Sequence, residues 1–271
     1  MIQPVAPLTD CEFVQFQRFI HEAAGISLSE AKKPLVSGRL AKRLHHLQCN
    51  SYGSYFQLIA SGTAPEETQI AIDLLTTNET YFFREARHFD HLRSVLKERK
   101  QSHLPFRVWS AACSTGEEPY SIAMVLADLL PPQGWEVLAS DISARVLETA
   151  RQGHYPMTRA AHVPQEYLRR FCLKGIDAED GTLLVSRVLR ECVEFAQINL
   201  NAARLPALDK FDVIFLRNVL IYFDGETKRR VVRRVLDYLR PGGYLYIGHS
   251  ESLHDMGLPV RSMAPAIYRK D

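Results

Sequence analysis

The sequence has few of the features that mark a disulfide-rich, zinc-binding or membrane protein. Its five cysteines are odd in number and never form a C-x-x-C pair, which argues against a disulfide scaffold and a cysteine-based zinc site. The longest apolar run, SIAMVLADLL, is too short to span a membrane and contains Asp128. The first ten residues lack the basic region and apolar core of a secretory signal. These absences predict a protein of the reducing cytoplasm.

The chain also lacks a strong charge of either sign, because 33 basic and 31 acidic residues give a formal net charge of +2. A surface built as a whole for nucleic acid would be far more basic. Any electrostatic partner must therefore meet a local patch. The 271 residues, 46% of them apolar, are enough for one large domain or two ordinary ones, with a sizeable core.

The N-terminal part of the chain, residues 9–75, shows only the periodicity of α-helices. The first helix is predicted to begin at a cap formed by Thr9 or Asp10 and to end at Gly25. Three more short helices are predicted to follow. This part is therefore expected to be all-helical.

The second predicted helix, residues 29–47, has a cationic face beside its apolar face. Arg39, Lys42 and Arg43 share that face on a helical wheel, and no acid occurs between residues 31 and 47. Such a run is typical of a solvated surface, and it also suits a docking surface for an acidic partner. Both interpretations are open at this point.

After the helical part the pattern changes to short, β-rich apolar segments that alternate with helical ones. The predicted strands are FRVWSA (106–111), EVLASD (136–141), FDVIFLRN (211–218) and GYLYIGHS (243–250). This alternation predicts a mainly parallel sheet covered by helices, which is the doubly wound α/β class.

One interval, from residue 153 to residue 194, does not fit the alternation. It contains a short predicted helix over residues 165–172 and then a turn, AEDG, flanked by alternating strands. We therefore expect a small antiparallel insertion in the parallel sheet.

The turn after the first predicted strand, AACSTGEE, contains very little side chain. In doubly wound folds the ligand lies beyond the carboxyl ends of the strands, and small residues let it approach the backbone. Ala112, Ser114 and Gly116 have the spacing of a glycine-rich dinucleotide turn, but only Gly116 keeps full backbone freedom. Glu117 and Glu118 follow at the helix N-terminus, where they would repel a pyrophosphate and suit an ammonium or sulfonium group. Acids in a first helical turn are also common because of the helix dipole alone.

The second predicted strand ends at Asp141, the position from which an acid binds the two hydroxyls of a ribose. An aspartate before a serine is also an ordinary helix N-cap. Taken together, the small turn, the acidic first turn and Asp141 predict a ligand that joins a nucleoside to a cationic amino acid. S-adenosylmethionine fits that description.

Five motifs occur along the chain in a fixed order: TNETYFFRE, CSTGEEPYS, QINL, FLRNVLIYF and LRPGGYLYIGHSESL. With them the sequence resembles the CheR family, the chemotaxis-receptor glutamate O-methyltransferases. The resemblance runs from about Ala24 to Tyr268 and so covers nearly the whole chain.

The resemblance implies three parts. Residues 1–75 would be an all-helical, receptor-docking domain, and residues 76–90 a linker that contacts the cofactor. Residues 91–271 would be an S-adenosylmethionine-dependent methyltransferase domain with a Rossmann-like, mostly parallel seven-stranded sheet. A small antiparallel β-subdomain would be inserted in it at about residues 155–194.

The resemblance also implies a cofactor site for S-adenosylmethionine, with no metal. Asp141 would hold the ribose, and Asn199 and Leu200 would lie near the adenine. The residues implied to line the site are Asn78, Thr80, Arg84, Glu118, Asp141, Asn199, Leu200, Arg217 and Asn218.

The implied reaction is the transfer of a methyl group to a glutamate carboxylate, which is already ionised at neutral pH and needs no general base. The enzyme must instead align the carboxylate and remove water from it. Arg84 and Tyr222 are predicted to do this through hydrogen bonds. The alternatives are that Tyr222 packs on the sheet and that Arg84 pairs with Glu85 or Asp90.

The implied partner is the cytoplasmic helical bundle of a chemoreceptor, whose acids would meet Arg39, Lys42 and Arg43. The sequence leaves open whether a C-terminal receptor peptide also adds a strand to the β-subdomain. Neither nucleic acid nor insertion into the membrane is expected. The protein would be cytoplasmic and recruited to membrane receptors.

Three other functions are possible alternatives. The first is a methyltransferase that acts on nucleic acid or on a small molecule, but enzymes that methylate amino groups of DNA favour a PPY turn where this chain has RNVLIYF. A cofactor-sensing adaptor without enzymatic activity would not need Tyr222. A dehydrogenase is disfavoured because the acidic turn opposes a pyrophosphate.

Overall fold

The architecture below comes from a computed structural model that describes residues 6–99, 104–254 and 256–271. Part of the N-terminal segment tested for a secretory signal, residues 1–5, lies outside the described residues. So do residues 100–103 and 255 of the predicted methyltransferase domain. Within the described parts, no helix combines the length and the apolar character needed to cross a membrane.

Four helices form the N-terminal part, as the sequence predicted: α1 (Asp10–Ala24), α2 (Lys33–His46), α3 (Tyr52–Ala60) and α4 (Pro65–Leu75). Thr9 caps α1 by accepting a hydrogen bond from the Glu12 amide, and the Glu12 carboxylate accepts one from the Thr9 amide in return. Gly25, in the left-handed conformation, ends α1. A short 3₁₀ turn, Glu30–Lys32, precedes α2, so the regular helix begins later than predicted.

The N-terminal helices pack around aromatic and aliphatic side chains. The ring of Phe16 contacts the rings of Tyr52, Tyr55 and Phe56 at centroid distances of 6.5, 6.4 and 5.6 Å. The apolar face predicted for the second helix is fully buried, with Val36, Leu40 and Leu44 each at 0% exposure. Burial of this face explains why a short helix with many cations is stable.

The cationic face of α2 is largely used inside the protein. Nε of Arg43 donates to the buried carboxylate of Glu67 at 2.9 Å, and the Tyr55 hydroxyl donates to the same carboxylate at 2.8 Å. Arg39 donates from Nη1 to the carbonyl oxygens of Leu75 and Thr76, at 3.0 and 2.9 Å. These two arginines therefore hold α2 against α4, a role that the sequence did not reveal.

Lys42, the third predicted docking cation, is exposed. Of the three predicted docking cations, Lys42 is therefore the one whose charge faces the solvent, whereas Arg39 and Arg43 bind α4 and the residue after it.

The rest of the chain forms ten strands and six helices within the described residues. The strands are β1 (Phe106–Ser110), β2 (Trp135–Asp141), β3 (His154–Pro156), β4 (Cys172–Lys174), β5 (Thr182–Val185), β6 (Val193–Gln197), β7 (Phe211–Leu216), β8 (Leu239–Ile247), β9 (Val260–Ala264) and β10 (Ile267–Lys270). The helices are α5 (Arg87–Glu98), α6 (Glu117–Leu129), α7 (Ala144–Gln152), α8 (Gln165–Phe171), α9 (Arg187–Glu191) and α10 (Gly225–Leu236).

Seven strands form the main sheet in the order β6-β2-β1-β7-β8-β10-β9. The pairs from β6 to β8 are parallel, and β10 is antiparallel to both of its neighbours. The chain starts at β1, moves outward through β2 to β6, and then returns to the other side of β1 as β7. The strand order thus reverses between β1 and β7, which is where doubly wound folds bind ligands. The predicted fold class is confirmed.

The insertion between α7 and β6 is a small antiparallel sheet in the order β3-β5-β4, as predicted. Its helix α8 coincides with the predicted one. The structure adds a short helix, α9, where only strands were predicted. We refer to the segment from β3 to α9 as the β-subdomain.

Some strand predictions were incomplete. The strand β8 begins at Leu239, earlier than the predicted Gly243, because the LRPGG segment already pairs with β7 at Phe211. The strands β6, β9 and β10 were not singled out individually. Each is short, and β9 is exposed or half-buried along its length, which weakens the apolar signal.

The N-terminal helices share a hydrophobic core with one face of the sheet. That core includes Ile20 and Leu40 from the helices, Trp109 and Ile214 from the sheet, and Val232 from α10. A second core on the other face is formed by α5, α6 and the β-subdomain. The N-terminal helices are thereby anchored next to the carboxyl ends of the central strands.

The Arg43–Glu67 pair gives a prediction about stability. Changing Arg43 to Ala leaves the buried Glu67 carboxylate without its cation, and we expect the free energy of unfolding to fall by about 2–4 kcal/mol. Lys42→Ala, at the preceding position of the same helix, should change the free energy of unfolding by less than about 0.5 kcal/mol. Urea unfolding followed by circular dichroism measures both. Equal effects would contradict the structural role of Arg43.

Candidate active site

A cleft opens at the carboxyl ends of β1, β2 and β7, beside the point where the strand order reverses. It encloses about 830 Å³ of empty space including its open mouth. Every residue that the sequence predicted for the cofactor or for catalysis lines this one cleft: Asn78, Thr80, Arg84, Glu118, Asp141, Asn199, Leu200, Arg217, Asn218 and Tyr222. The structure brings together side chains that are up to 144 positions apart, from Asn78 to Tyr222.

The small-residue turn after β1 is held by backbone bonds to both neighbouring strands. The Ala111 amide donates to the carbonyl of Phe215 at 2.8 Å, and the Cys113 amide to that of Ser140 at 2.9 Å. Ala111, Ala112 and Ser114 line the cleft, so the backbone is accessible to a ligand there.

Gly116 is required for a reason that the sequence did not show. Its φ is +99°, and a Cβ atom would lie 2.7 Å from the Tyr155 hydroxyl and 2.9 Å from Cβ of Ala150. Its lack of a side chain therefore lets α6 approach α7 and the β-subdomain closely.

Asp141 ends β2 with its carboxylate on the wall of the cleft. One oxygen accepts from the Ser114 amide at 2.9 Å and the other from the Ser143 amide at 3.0 Å. Burial raises the pKa of Asp141, and the backbone donors oppose that shift. Because Ser143 is the residue that caps α7, Asp141 is not its N-cap and remains available to a ligand.

Arg217 lies between two carboxylates at the back of the cleft. Its Nη1 is 2.8 Å from Oε2 of Glu118, and its Nη2 is 3.0 Å from Oε2 of Glu85. Glu118 also accepts a bond from the Ser110 hydroxyl at 2.7 Å. Burial raises the pKa of Glu118, whereas Arg217 acts to lower it. Arg217 thus joins two acidic side chains at this end of the cleft.

The expectation that Glu117 and Glu118 both face the ligand is wrong for Glu117. Its side chain is buried away from the cleft, where it accepts a bond from the Thr115 hydroxyl at 2.6 Å and lies 3.4 Å from Nη1 of Arg159. Successive helix positions point about 100° apart, so only one of two adjacent acids can face the cleft.

The charges on the cleft wall fit S-adenosylmethionine. In the described part of the chain, the acidic residues lining the cleft are Glu79, Glu118 and Asp141, and the arginines are Arg84 and Arg217. Two cationic groups and one carboxylate on the cofactor would meet three acids and two arginines. This set of groups is complementary in sign, and Asp141 has the acceptor oxygens that ribose hydroxyls need.

The segment before α5 crosses the small-residue turn. The carbonyl of Asn78 accepts from the Ser114 hydroxyl at 2.9 Å, and that of Thr80 accepts from Arg159 at 2.5 Å. Arg84 donates to the Glu79 carbonyl at 2.9 Å. The alternative ion pairs for Arg84 are not formed, because Glu85 pairs with Arg217 and Asp90 with Arg93.

The loop that carries Tyr222 is organised by Glu251. The Glu251 carboxylate accepts from the amides of Asn218, Ile221 and Gly248 at 3.0, 3.2 and 2.5 Å. Asn218 has a φ of +56°, a conformation that these bonds help to hold. Glu251 thus fixes the loop between β7 and Tyr222.

The N-terminal helices also contribute to the cleft. The Asp73 carboxylate of α4 accepts bonds from the amides of Ala144 and Arg145 at the start of α7, at 3.1 and 3.3 Å. Nδ2 of Asn199, which also lines the cleft, donates to the carbonyl of Ala23 in α1 at 2.6 Å. Asp73 was missed because its partners lie far along the chain.

A group of side chains near the cleft has the composition of a metal site. Atoms of Glu85, His88 and His249 lie within 4.8 Å of one another, the one such group among the described residues. Arg217 already places a positive charge 3.0 Å from the Glu85 carboxylate. Burial, together with Arg217, lowers the pKa of His88 to about 3, so that the ring is neutral at physiological pH. We interpret the group as part of the Arg217 ion-pair network.

The strand order, the cleft at its reversal point and the charges on its wall define a Rossmann-like, S-adenosylmethionine-dependent methyltransferase. Comparison with known families agrees. Residues 78–265 match the model described as CheR methyltransferase, SAM binding domain, and residues 12–76 match CheR methyltransferase, all-alpha domain. The chain belongs to the CheR methyltransferase family.

Curated relatives cover nearly the whole chain. The sequence is 42% identical over 261 residues to chemotaxis protein methyltransferase 2 of Pseudomonas aeruginosa, covering 95% of this chain and 92% of that protein. It is also 42% identical over 247 residues to the chemotaxis protein methyltransferase of Escherichia coli, covering 90% and 85% of the two chains. The predicted family, enzyme class and cofactor are confirmed.

Asp73 gives a prediction about the cleft. Asp73→Ala removes the acceptor for two amides next to Asp141, and a loss of about 1 kcal/mol there would weaken binding of S-adenosylhomocysteine about fivefold. Glu66→Ala, at an exposed position of the same helix, is the control. Titration calorimetry measures both affinities. If Asp73→Ala binds S-adenosylhomocysteine with unchanged affinity, Asp73 stabilises the fold but does not contribute to cofactor binding.

Proposed function

We propose that this protein methylates specific glutamate side chains on the cytoplasmic helices of chemoreceptors, with S-adenosylmethionine as methyl donor, in chemotaxis adaptation. The observation that carries the proposal is the cleft in which Asp141, Glu118 and Arg217 meet Arg84 and Tyr222. Relatives at 42% identity are named chemotaxis protein methyltransferases, which supports the same conclusion.

The acceptor in this reaction is a carboxylate, which is a weak nucleophile. When bound, S-adenosylmethionine supplies a methyl group activated by a sulfonium. The new bond joins a glutamate oxygen to the methyl carbon, and the sulfur keeps the electron pair of the bond that breaks. The protein must hold the oxygen within about 3–3.5 Å of that carbon and in line with the breaking bond. No side chain needs to remove a proton, because a glutamate is ionised at neutral pH.

Tyr222 and Arg84 are the groups proposed to orient the acceptor. Both line the cleft, and both are half-buried. The Tyr222 hydroxyl would donate one hydrogen bond to the acceptor carboxylate, leaving the second oxygen free to attack. Arg84 would orient the acceptor or the cofactor carboxylate through its fork of donors.

The helix α2 is proposed to meet acids of the receptor. Arg39 and Arg43 are bonded within the protein, so the charge that a partner contacts directly is that of exposed Lys42. Attraction between this charge and acidic receptor helices would favour encounter and orientation. The same attraction would recruit this protein from the cytoplasm to membrane receptors.

The β-subdomain is proposed to bind a C-terminal receptor peptide. Its edge strand β4 exposes Leu173, and Ile176 and Val188 nearby are also exposed, at 60%, 73% and 66%. Exposed apolar residues beside an unpaired strand edge suit the addition of an extended peptide strand.

Two variants separate cofactor binding from methyl transfer. Asp141→Ala loses both ribose acceptors, and we expect S-adenosylhomocysteine to bind about 100-fold more weakly or not at all. Tyr222→Phe removes one donor to the acceptor carboxylate, so kcat should fall about 10- to 100-fold with cofactor affinity unchanged. Tyr238→Phe is the matched control, because the Tyr238 hydroxyl donates to the Pro206 carbonyl and does not line the cleft.

The measurements are titration calorimetry and transfer of a tritiated methyl group to receptor fragments, with DNA and RNA as alternative acceptors. Transfer to nucleic acid in place of receptor would overturn the proposal. Tight cofactor binding with no transfer to any acceptor would favour an adaptor.

Lys42 gives a prediction about docking. Lys42→Glu should raise the KM for receptor fragments about two- to fivefold at low salt, because one exposed charge at an interface is reversed. The difference should shrink as salt is added. Lys97→Glu, at an exposed position of α5, should leave the KM for receptor fragments unaltered. If the two variants behave alike, α2 is not the docking surface.

A further inference from the structure

A second groove adjoins the mouth of the cleft, and the proposed function does not account for it. It encloses about 1100 Å³ of empty space including its open side. We call it the flank groove, and its lining residues are Ile26, Ser27, Leu28, Ser29, Lys32, Leu35, Leu75, Thr77, Ile221, Tyr222, Phe223 and Asp224. Ile26, Thr77, Tyr222 and Phe223 line both spaces, so the flank groove and the cleft share a wall.

The shared wall is fixed by main-chain bonds between the two parts of the protein. Ile26 and Phe223 form an antiparallel bridge, and the Ser27 amide donates to the Tyr222 carbonyl at 2.8 Å. The Leu28 carbonyl accepts a bond from Nε2 of Gln17 at 2.7 Å. The flank groove is therefore preformed, and its position relative to Tyr222 is set.

The lining of the flank groove is mainly apolar with one available cation. Leu28 and Leu35 are half-buried, and the side chain of Ile221 is exposed, at 49%. Asp224 is occupied by the Thr227 amide and by His21. Lys32 is exposed, and no ion pair joins it to another residue in the described part of the chain.

The position of the flank groove determines what can occupy it during catalysis. Because Tyr222 lines both spaces, a backbone that passes across the shared wall can bring a glutamate carboxylate to Tyr222. On a helix, residues three or four positions from that glutamate lie on the same face, about 5–6 Å away. Those side chains would therefore enter the flank groove, as apolar anchors of an amphipathic helix enter a groove in other complexes.

We infer that the flank groove binds the substrate helix next to the methyl-accepting glutamate. It accepts an apolar side chain one turn away against Ile221 and Leu35, and it pairs an acidic side chain with Lys32. These residues determine which glutamates of a receptor are methylated. The inference rests on the proposed function, because it needs a helical protein substrate.

The test uses the whole protein and a helical receptor fragment with one methyl-accepting glutamate. Ile221→Ser and Lys32→Glu should each raise KM for the fragment about five- to tenfold, with kcat and the affinity for S-adenosylhomocysteine unchanged. Val14→Ser is the matched control, because Val14 is an exposed apolar residue on α1, at 40% exposure. Intact cofactor affinity shows that each variant is folded.

A second arm changes the substrate. Replacing the apolar residue one turn from the glutamate by serine should raise KM for the wild-type protein but add little for Ile221→Ser, as expected for a contacting pair. Independent, fully additive effects would overturn the inference, and so would unchanged KM values in both variants. In those cases the wild-type protein still methylates the fragment and the proposed function stands. If the wild-type protein methylates no receptor fragment, both fail.

Discussion

The buried ion pairs of Arg217 are the interaction on which the rest of the site depends. Arg217 is 5% exposed, and its guanidinium joins Glu118 at the start of α6 to Glu85 in the segment before α5. Burial alone would raise the pKa of Glu85, but Arg217 and the hydrogen bonds to it lower the pKa below its ordinary value. Without that cation, two largely buried carboxylates would lose the charge that compensates them, which is strongly destabilising. The ion pairs therefore hold the segment of Asn78 to Arg84 against the end of the sheet.

The helical part is a structural component of the candidate active site as well as the proposed docking surface for partners. Asp73 holds the start of α7 next to Asp141, Ala23 accepts a bond from Asn199, and Ser27 is bonded to Tyr222. The apolar core is also continuous between these helices and the sheet. A partner that displaced these helices would therefore also displace residues of the cleft wall, because the two are joined by hydrogen bonds. The proposed docking surface and the cleft thus share one scaffold.

The sequence predicted most of what is local and little of what depends on distant partners. The central strands, the cap at Thr9, the small-residue turn and Asp141 all follow from short patterns in one stretch of chain. By contrast, Arg39 and Arg43 look like free surface cations until α4 is placed beside them, and Glu117 looks like a ligand-facing acid until the helix turn is fixed. Short strands such as β9 give a weak signal because few of their side chains are buried. The missing information in each case is the identity of a neighbour far away in the chain.

The chemistry explains why so many polar groups in this site bind backbone instead of taking part in proton transfer. An ionised carboxylate needs no base, so rate depends on distance, angle and the removal of water. Glu251 accepts bonds from the amides of Asn218, Ile221 and Gly248, and the Ser27 amide donates to the Tyr222 carbonyl, so the backbone that carries the Tyr222 side chain is held in place. A donor that strongly neutralised the acceptor would lower its nucleophilicity, whereas a single tyrosine hydroxyl orients it and leaves its charge. With the role proposed for Tyr222, a fixed loop with one neutral donor would suit this reaction better than a second arginine at the same place.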